Sequence, residues 1–169
     1  MTVIFGIPIP SQDPAFLGIV ALHVLAGLTA VVSGALAMRL QKGRGRHSRM
    51  GTIYFWSLAA LFVTATALSA MRWSEDAHLF ALGALALAFA IAARLAACRH
   101  WPLRIHAGGM GASFIAMLTA FYVDNGANLP LWRDLPLIAY WTVPALLGVP
   151  IILWVFARHP LLRARPAPT

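Results

Sequence analysis

Five long stretches almost free of Asp, Glu, Lys and Arg run along the chain, separated by short polar segments. They cover residues 14–38, 50–71, 77–98, 105–123 and 136–157, and the only charge inside them is Arg94, one turn before the end of the third. At 1.5 Å per residue each stretch is long enough to cross about 30 Å of hydrocarbon. No apolar–polar alternation of strand type is present, and backbone groups in lipid must pair within their own segment, so each stretch predicts a helix. The expected fold is therefore all-α: one integral membrane domain over residues 1–169, a five-helix transmembrane bundle with a disordered tail at 163–169. Pro144 and Pro150 fall inside the fifth span and predict a bend or a local loss of hydrogen bonding, read as packing accommodation rather than a gate.

Composition sharpens this picture. Sixty per cent of the 169 residues are hydrophobic and 11% are charged, against roughly 25% charged in an average soluble domain. The mean hydropathy is +0.77. A water-soluble enzyme of this size could not cover its surface with so few charges. Cys98, the single cysteine, can form neither an intramolecular disulfide nor a thiolate metal centre by itself.

The net charge of +8 comes from 13 Lys+Arg against 5 Asp+Glu. Its distribution follows the spans. Arg39, Lys42, Arg44, Arg46 and Arg49 follow the first span, and Arg94, Arg99 and Arg104 surround the third connection. Arg158, Arg163 and Arg165 follow the fifth, which leaves only Arg72 and Arg133 for the opposite side. By the positive-inside rule the N-terminus is expected outside and the C-terminus in the cytoplasm. Anionic lipid headgroups at the cytoplasmic face are the expected partners of this charge, and nucleic acid is not. The N-terminal segment has no basic leader region, so the first span is expected to be retained.

Polar chemistry inside the spans is sparse. All five carboxylates, Asp13, Glu75, Asp76, Asp124 and Asp134, fall at the ends away from the basic clusters, and none lies mid-membrane. That argues against a carboxylate-coupled transporter. His23 lies inside the first span, roughly 13 Å from its start. It shares a helix face with Gly27, Ala30 and Gly34, which suits close helix packing or a flat ligand such as haem or quinone. The fourth span repeats the arrangement with His106, Met110, Ser113 and Met117, flanked by Gly108, Gly109 and Gly111.

Two histidines that clamp a haem iron must lie at similar depth. His23 and His78 differ by roughly 10 Å. His47, His100 and His106 all fall near the cytoplasmic boundary, and His47 with His106 makes the better pair. These three positions, His23, His47 and His106, are the candidate cofactor-binding residues. The basic segment Gly43–Gly51 reads as an anchor or a headgroup-binding loop without a Walker pattern. At the outer ends, Asp124-Asn125-Gly126 is a turn signal and Trp132 suits the interface, so turn formation and anchoring is the leading expectation. Alternatively Glu75, Asp76, His78, Asp124, Asn125 and Asp134 could gather around a divalent cation, or their carboxylates could pair with Arg72 and Arg133. No Ser–His–Asp, Cys–His or zinc spacing is present, and no catalytic residue is expected.

The run His106-Ala107-Gly108-Gly109-Met110-Gly111-Ala112-Ser113-Phe114, continued through Leu118-Thr119-Ala120-Phe121-Tyr122-Val123-Asp124-Asn125-Gly126, resembles a family of bacterial multipass membrane proteins of unknown function. Asn128-Leu129-Pro130-Leu131-Trp132, His23 and the Arg46-His47, Gly51, Tyr54 segment share in the resemblance. It implies a bacterial inner-membrane location and carries over no catalytic residues. Three functions follow from the sequence. A non-enzymatic structural or accessory membrane protein, acting with a membrane partner or as a homodimer, is the leading expectation. A redox component binding haem or quinone is the second, and a small-molecule transporter or channel the third.

Overall fold

The computed structural model describes residues 2–4, 7–9, 13–41, 45–159 and 162. Among the described residues five helices are long and apolar enough to cross a membrane. They are α1 (Pro14–Arg39), α2 (Arg46–Met71), α3 (Trp73–Cys98), α4 (Leu103–Asn125) and α5 (Leu137–Arg158). The expected disordered tail lies outside the described residues. Ahead of the bundle, β1 (Thr2–Ile4) and β2 (Ile7–Ile9) form a short antiparallel ribbon that pairs Thr2 with Ile9. This ribbon is an addition to the all-α expectation, which every membrane-length element follows.

Two helices begin well before the charge-free runs do. Arg46, His47, Ser48 and Arg49 form the first turn of α2, so most of the expected basic loop is helical. Trp73–Asp76 likewise opens α3. Charge marks the end of a lipid-soluble stretch, but a helix continues for as long as its backbone can bond and its side chains can reach water. α5 runs unbroken through Pro144 and Pro150.

The connections are short and specific. Asp13 caps α1 by accepting from the Ala15 N–H at 3.1 Å, with Pro14 in the first turn. A single residue, Arg72, links α2 to α3 and pairs with Glu75 and Asp76 in the next turn. Those two acids also sit at the favourable end of the α3 dipole. At the α3 C-terminus the Trp101 N–H bonds the Ala96 carbonyl at 2.9 Å, and His100 takes the left-handed conformation with φ 56°. This is a Schellman closure with histidine where glycine is usual. Beyond α4, a 3-10 turn over Gly126–Asn128 leads into a loop held by aromatic contacts. Tyr122 stacks on Trp132 with ring centres 3.9 Å apart, and the Tyr140 hydroxyl donates to the Trp132 carbonyl.

Packing follows chain order: α1 lies against α2, α2 against α3, α3 against α4 and α4 against α5. The core gathers Ala30, Tyr54, Leu58, Ala86, Ala90, Ala116 and Met117. Most large apolar side chains, such as Leu22, Leu25, Leu146 and Trp154, point outward instead. Lipid is as apolar as leucine, so helix association relies on close contact between small residues. Ala86, Ala90, Ala93 and Ala96 supply that surface on α3, and all are fully buried. A Cβ on Gly109 would lie 2.9 Å from the Ala93 Cβ and 3.2 Å from the Phe89 carbonyl oxygen. One on Gly34 would lie 2.8 Å from the Phe114 ring. These glycines serve helix packing.

Candidate functional site

His47 and His106 each sit in the opening of a helix, α2 and α4 respectively. The Nδ1 of His47 lies 2.9 Å from the Ala37 carbonyl oxygen on α1. The Nδ1 of His106 lies 3.0 Å from the Ala93 carbonyl oxygen on α3. A carbonyl can only accept, so each Nδ1 carries the proton and donates. The neutral ring then has its lone pair on Nε2. Both side chains are half-buried, their ring centres are 6.4 Å apart, and the ring planes meet at 83°. A backbone carbonyl holding one ring nitrogen is the usual support for a histidine whose other nitrogen binds a metal.

Seven residues on from each histidine, and so on the same helix face, stand Tyr54 and Ser113. Their hydroxyls are 2.7 Å apart and both residues are buried, at 1% and 0% exposure. The bond lies about 10 Å deeper than the histidines by helical rise. Between His47 and Tyr54 on α2 comes half-buried Gly51, where a Cβ would meet nothing within 4 Å. α2 and α4 thus bring together two imidazoles near their first turns and a hydroxyl bond about two turns deeper. Arg94, with its guanidinium 4.8 Å from the centre of the Phe55 ring, is the half-buried cation nearest this level in sequence, adjoining Ala93.

His23 stands apart from that pair. Its Nδ1 lies 3.0 Å from the Thr64 hydroxyl oxygen. Thr64 donates its own proton to the carbonyls of Ala60 and Leu61, so it accepts from His23. Thr64 is seventeen residues along α2 from His47, about 25 Å by helical rise. Gly27 meets Leu61 at ordinary contact distance, and Ala30 is fully buried. The face shared by His23, Gly27, Ala30 and Gly34 is accordingly spent on α2 and Phe114.

The acidic end forms ion pairs. Glu75 and Asp76 pair with Arg72, and Asp134 pairs with Arg133 at 3.7 Å. The Asn125 amide donates to the Asp124 carboxylate at 3.1 Å and to the Phe121 carbonyl. His78 packs on Trp141 with ring centres 5.9 Å apart. Asp124 lies within electrostatic reach of Asp76, Arg72 and His78. Among the described residues no three His, Cys, Asp or Glu side chains converge as a metal site. Carboxylate–arginine pairs and a turn anchored by the Trp132 ring are both present at this end.

Sequence reasoning did not identify the Tyr54–Ser113 bond, although the signal was there. Each residue follows its histidine by two helical turns. No family model, curated protein or solved structure matches the chain.

Proposed function

We propose that this is a multipass membrane redox component that holds a haem iron between His47 and His106. The observation that carries the reading is the approach of the two rings, with centres 6.4 Å apart. Both rings are fixed through Nδ1 by a backbone carbonyl, which leaves Nε2 of each as the nitrogen that would bind a metal. The ligand count supports the same cofactor. Zinc sites take three or four ligands from the protein, whereas a haem macrocycle supplies four nitrogens itself and takes one or two protein ligands. No heavy atom lies within 4 Å of where a Gly51 Cβ would stand, one turn on from His47. Of the three classes weighed from the sequence, this is the one a specific geometric observation favours.

The proposal includes location. In the sequence, eleven of the thirteen cations fall in the segments that follow the first and fifth spans and surround the third connection, and the histidine pair lies at the same ends of α2 and α4, which supports a cytoplasmic position for that end, with the N-terminus outside. The resemblance to bacterial multipass proteins is the reason for assigning it to a bacterial inner membrane. In that setting the arginines meet anionic headgroups.

The test is an oxidised and then dithionite-reduced absorption spectrum of protein purified in mild detergent from haem-replete cells. A Soret band with sharp reduced α and β bands is expected, lost in His47→Ala and in His106→Ala and kept in His23→Ala. A featureless spectrum from folded protein defeats the reading, and so does a Soret band that survives both substitutions.

A further inference from the structure

Where α3 turns into α4 the chain leaves a cavity of about 290 Å³, lined by Ala97, His100, Trp101, Leu103 and His106. The guanidinium of Arg99 stands over the Trp101 ring, 5.8 Å from its centre. α3 has 26 residues, about 39 Å by helical rise, so with about 30 Å of hydrocarbon its last residues reach headgroup level. Trp101, half exposed, suits that level. No Asp or Glu of the chain competes for the cavity. Glu75 and Asp76 open α3, Asp124 falls in the last turn of α4 and Asp134 precedes α5, while Asp13 caps the start of α1. Glu75 is 24 residues from Arg99, about 36 Å by helical rise.

His100 supplies an independent sign. Its φ of 56° lies in the left-handed region, which costs energy for any residue except glycine. Glycine would close α3 equally well, because the closing bond runs from the Trp101 N–H to the Ala96 carbonyl and needs no side chain from residue 100. A strained residue whose side chain lines a cavity points to a use for that side chain.

We infer that this cavity holds a phosphate group, that of an anionic phospholipid. The Arg99 guanidinium brings a permanent charge and a fork of donors that matches phosphate oxygens, and the His100 imidazole and Trp101 indole bring further N–H donors. At headgroup level the anion that every bilayer presents is phosphate, with the acyl chains left beside the helices. The inference narrows the general attraction of a basic end for anionic lipid to one place in the fold. It stands on α3, α4 and their turn, and holds with or without iron between His47 and His106.

The experiment is native mass spectrometry of the full chain in detergent, titrated with equimolar phosphatidylglycerol and phosphatidylcholine of the same acyl chains. The wild type is expected to retain one phosphatidylglycerol with about ten-fold preference. Arg99→Gln and His100→Gly should each cut that preference about five-fold, the size of one hydrogen bond. His100→Gly should do so while raising the thermal midpoint, so the loss is not misfolding. Arg39→Gln removes the same charge from the end of α1 and should leave the preference intact. His47→Ala should bind lipid as the wild type does, so failure of the haem reading and failure of this one are separable. Inorganic phosphate that displaces the lipid would keep the phosphate site and assign it to a soluble ester. The inference is overturned if phosphatidylglycerol is not preferred, if Arg39→Gln lowers the preference as much as Arg99→Gln, or if His100→Gly keeps it in full.

Discussion

Gly109 is where α4 comes nearest to α3, and an alanine there gives the sharpest check on the packing described. The new methyl would sit 2.9 Å from the Ala93 Cβ and 3.2 Å from the Phe89 carbonyl oxygen. Neither neighbour can rotate away, because one is a methyl fixed to the backbone and the other is backbone itself. The helices must separate by several tenths of an ångström, and overpacking of that kind costs about 1–3 kcal/mol. Set against it is the higher helix propensity of alanine, worth about 0.8–1.0 kcal/mol. Gly109→Ala should therefore be destabilising by about 1 kcal/mol net. Gly18→Ala is the control, since a Cβ there meets nothing within 4 Å and only the propensity gain remains. Thermal unfolding in a single detergent should place the two variants on opposite sides of the wild type, roughly 4–8 °C apart for a chain of this length. His106 precedes Gly109 by one turn and bonds the same stretch of α3, so haem retention should fall together with stability in Gly109→Ala. If Gly109→Ala melts at or above the temperature of Gly18→Ala, the close α3–α4 approach is wrong.

Two further outcomes test the polar contacts. Ser113→Ala strands the buried Tyr54 hydroxyl and should cost about 1–3 kcal/mol, whereas Tyr54→Phe leaves a serine able to bond its own helix and should cost less. A double-mutant cycle by chemical unfolding should then show the pair of substitutions to be milder than the sum of the two. His100→Gly removes a side chain from a left-handed backbone position and should raise the thermal midpoint, by an amount corresponding to about 1 kcal/mol.

The number and approximate extent of the helices could be read from the sequence because lipid imposes one rule: long runs without charge. Their first turns could not, since Arg46–Arg49 and Trp73–Asp76 are polar enough to pass for loops yet helical in the structure. Which face of each helix turns inward was also hidden. These helices are apolar nearly all round, so periodicity does not separate buried Tyr54 from exposed Trp56 two residues later. Small residues were the better guide, as Gly34 and Gly109 show. His47 and His106 could be matched by depth from sequence, but their approach to 6.4 Å depends on how α2 stands relative to α4, which no local pattern states. The acidic end was legible as a cluster of residue types, and its resolution into ion pairs with Arg72 and Arg133 depended on geometry that spacing alone leaves open.

The bundle is built as two helical hairpins followed by a single helix, with cross-bonds distributed accordingly. His23–Thr64 and His47–Ala37 join α1 to α2, and His106–Ala93 joins α3 to α4. Among the described residues Tyr54–Ser113 is the side-chain hydrogen bond that ties α2 to α4. During synthesis the first hairpin can form both of these bonds before α3 is complete, because Thr64 and Ala37 lie N-terminal to Met71. Each hairpin can then enter the bilayer with its interior imidazoles already bonded, and docking is left to alanine and glycine surfaces and one hydroxyl pair. His47 and His106 come from different hairpins, so their mutual approach has to await the docking of one hairpin on the other.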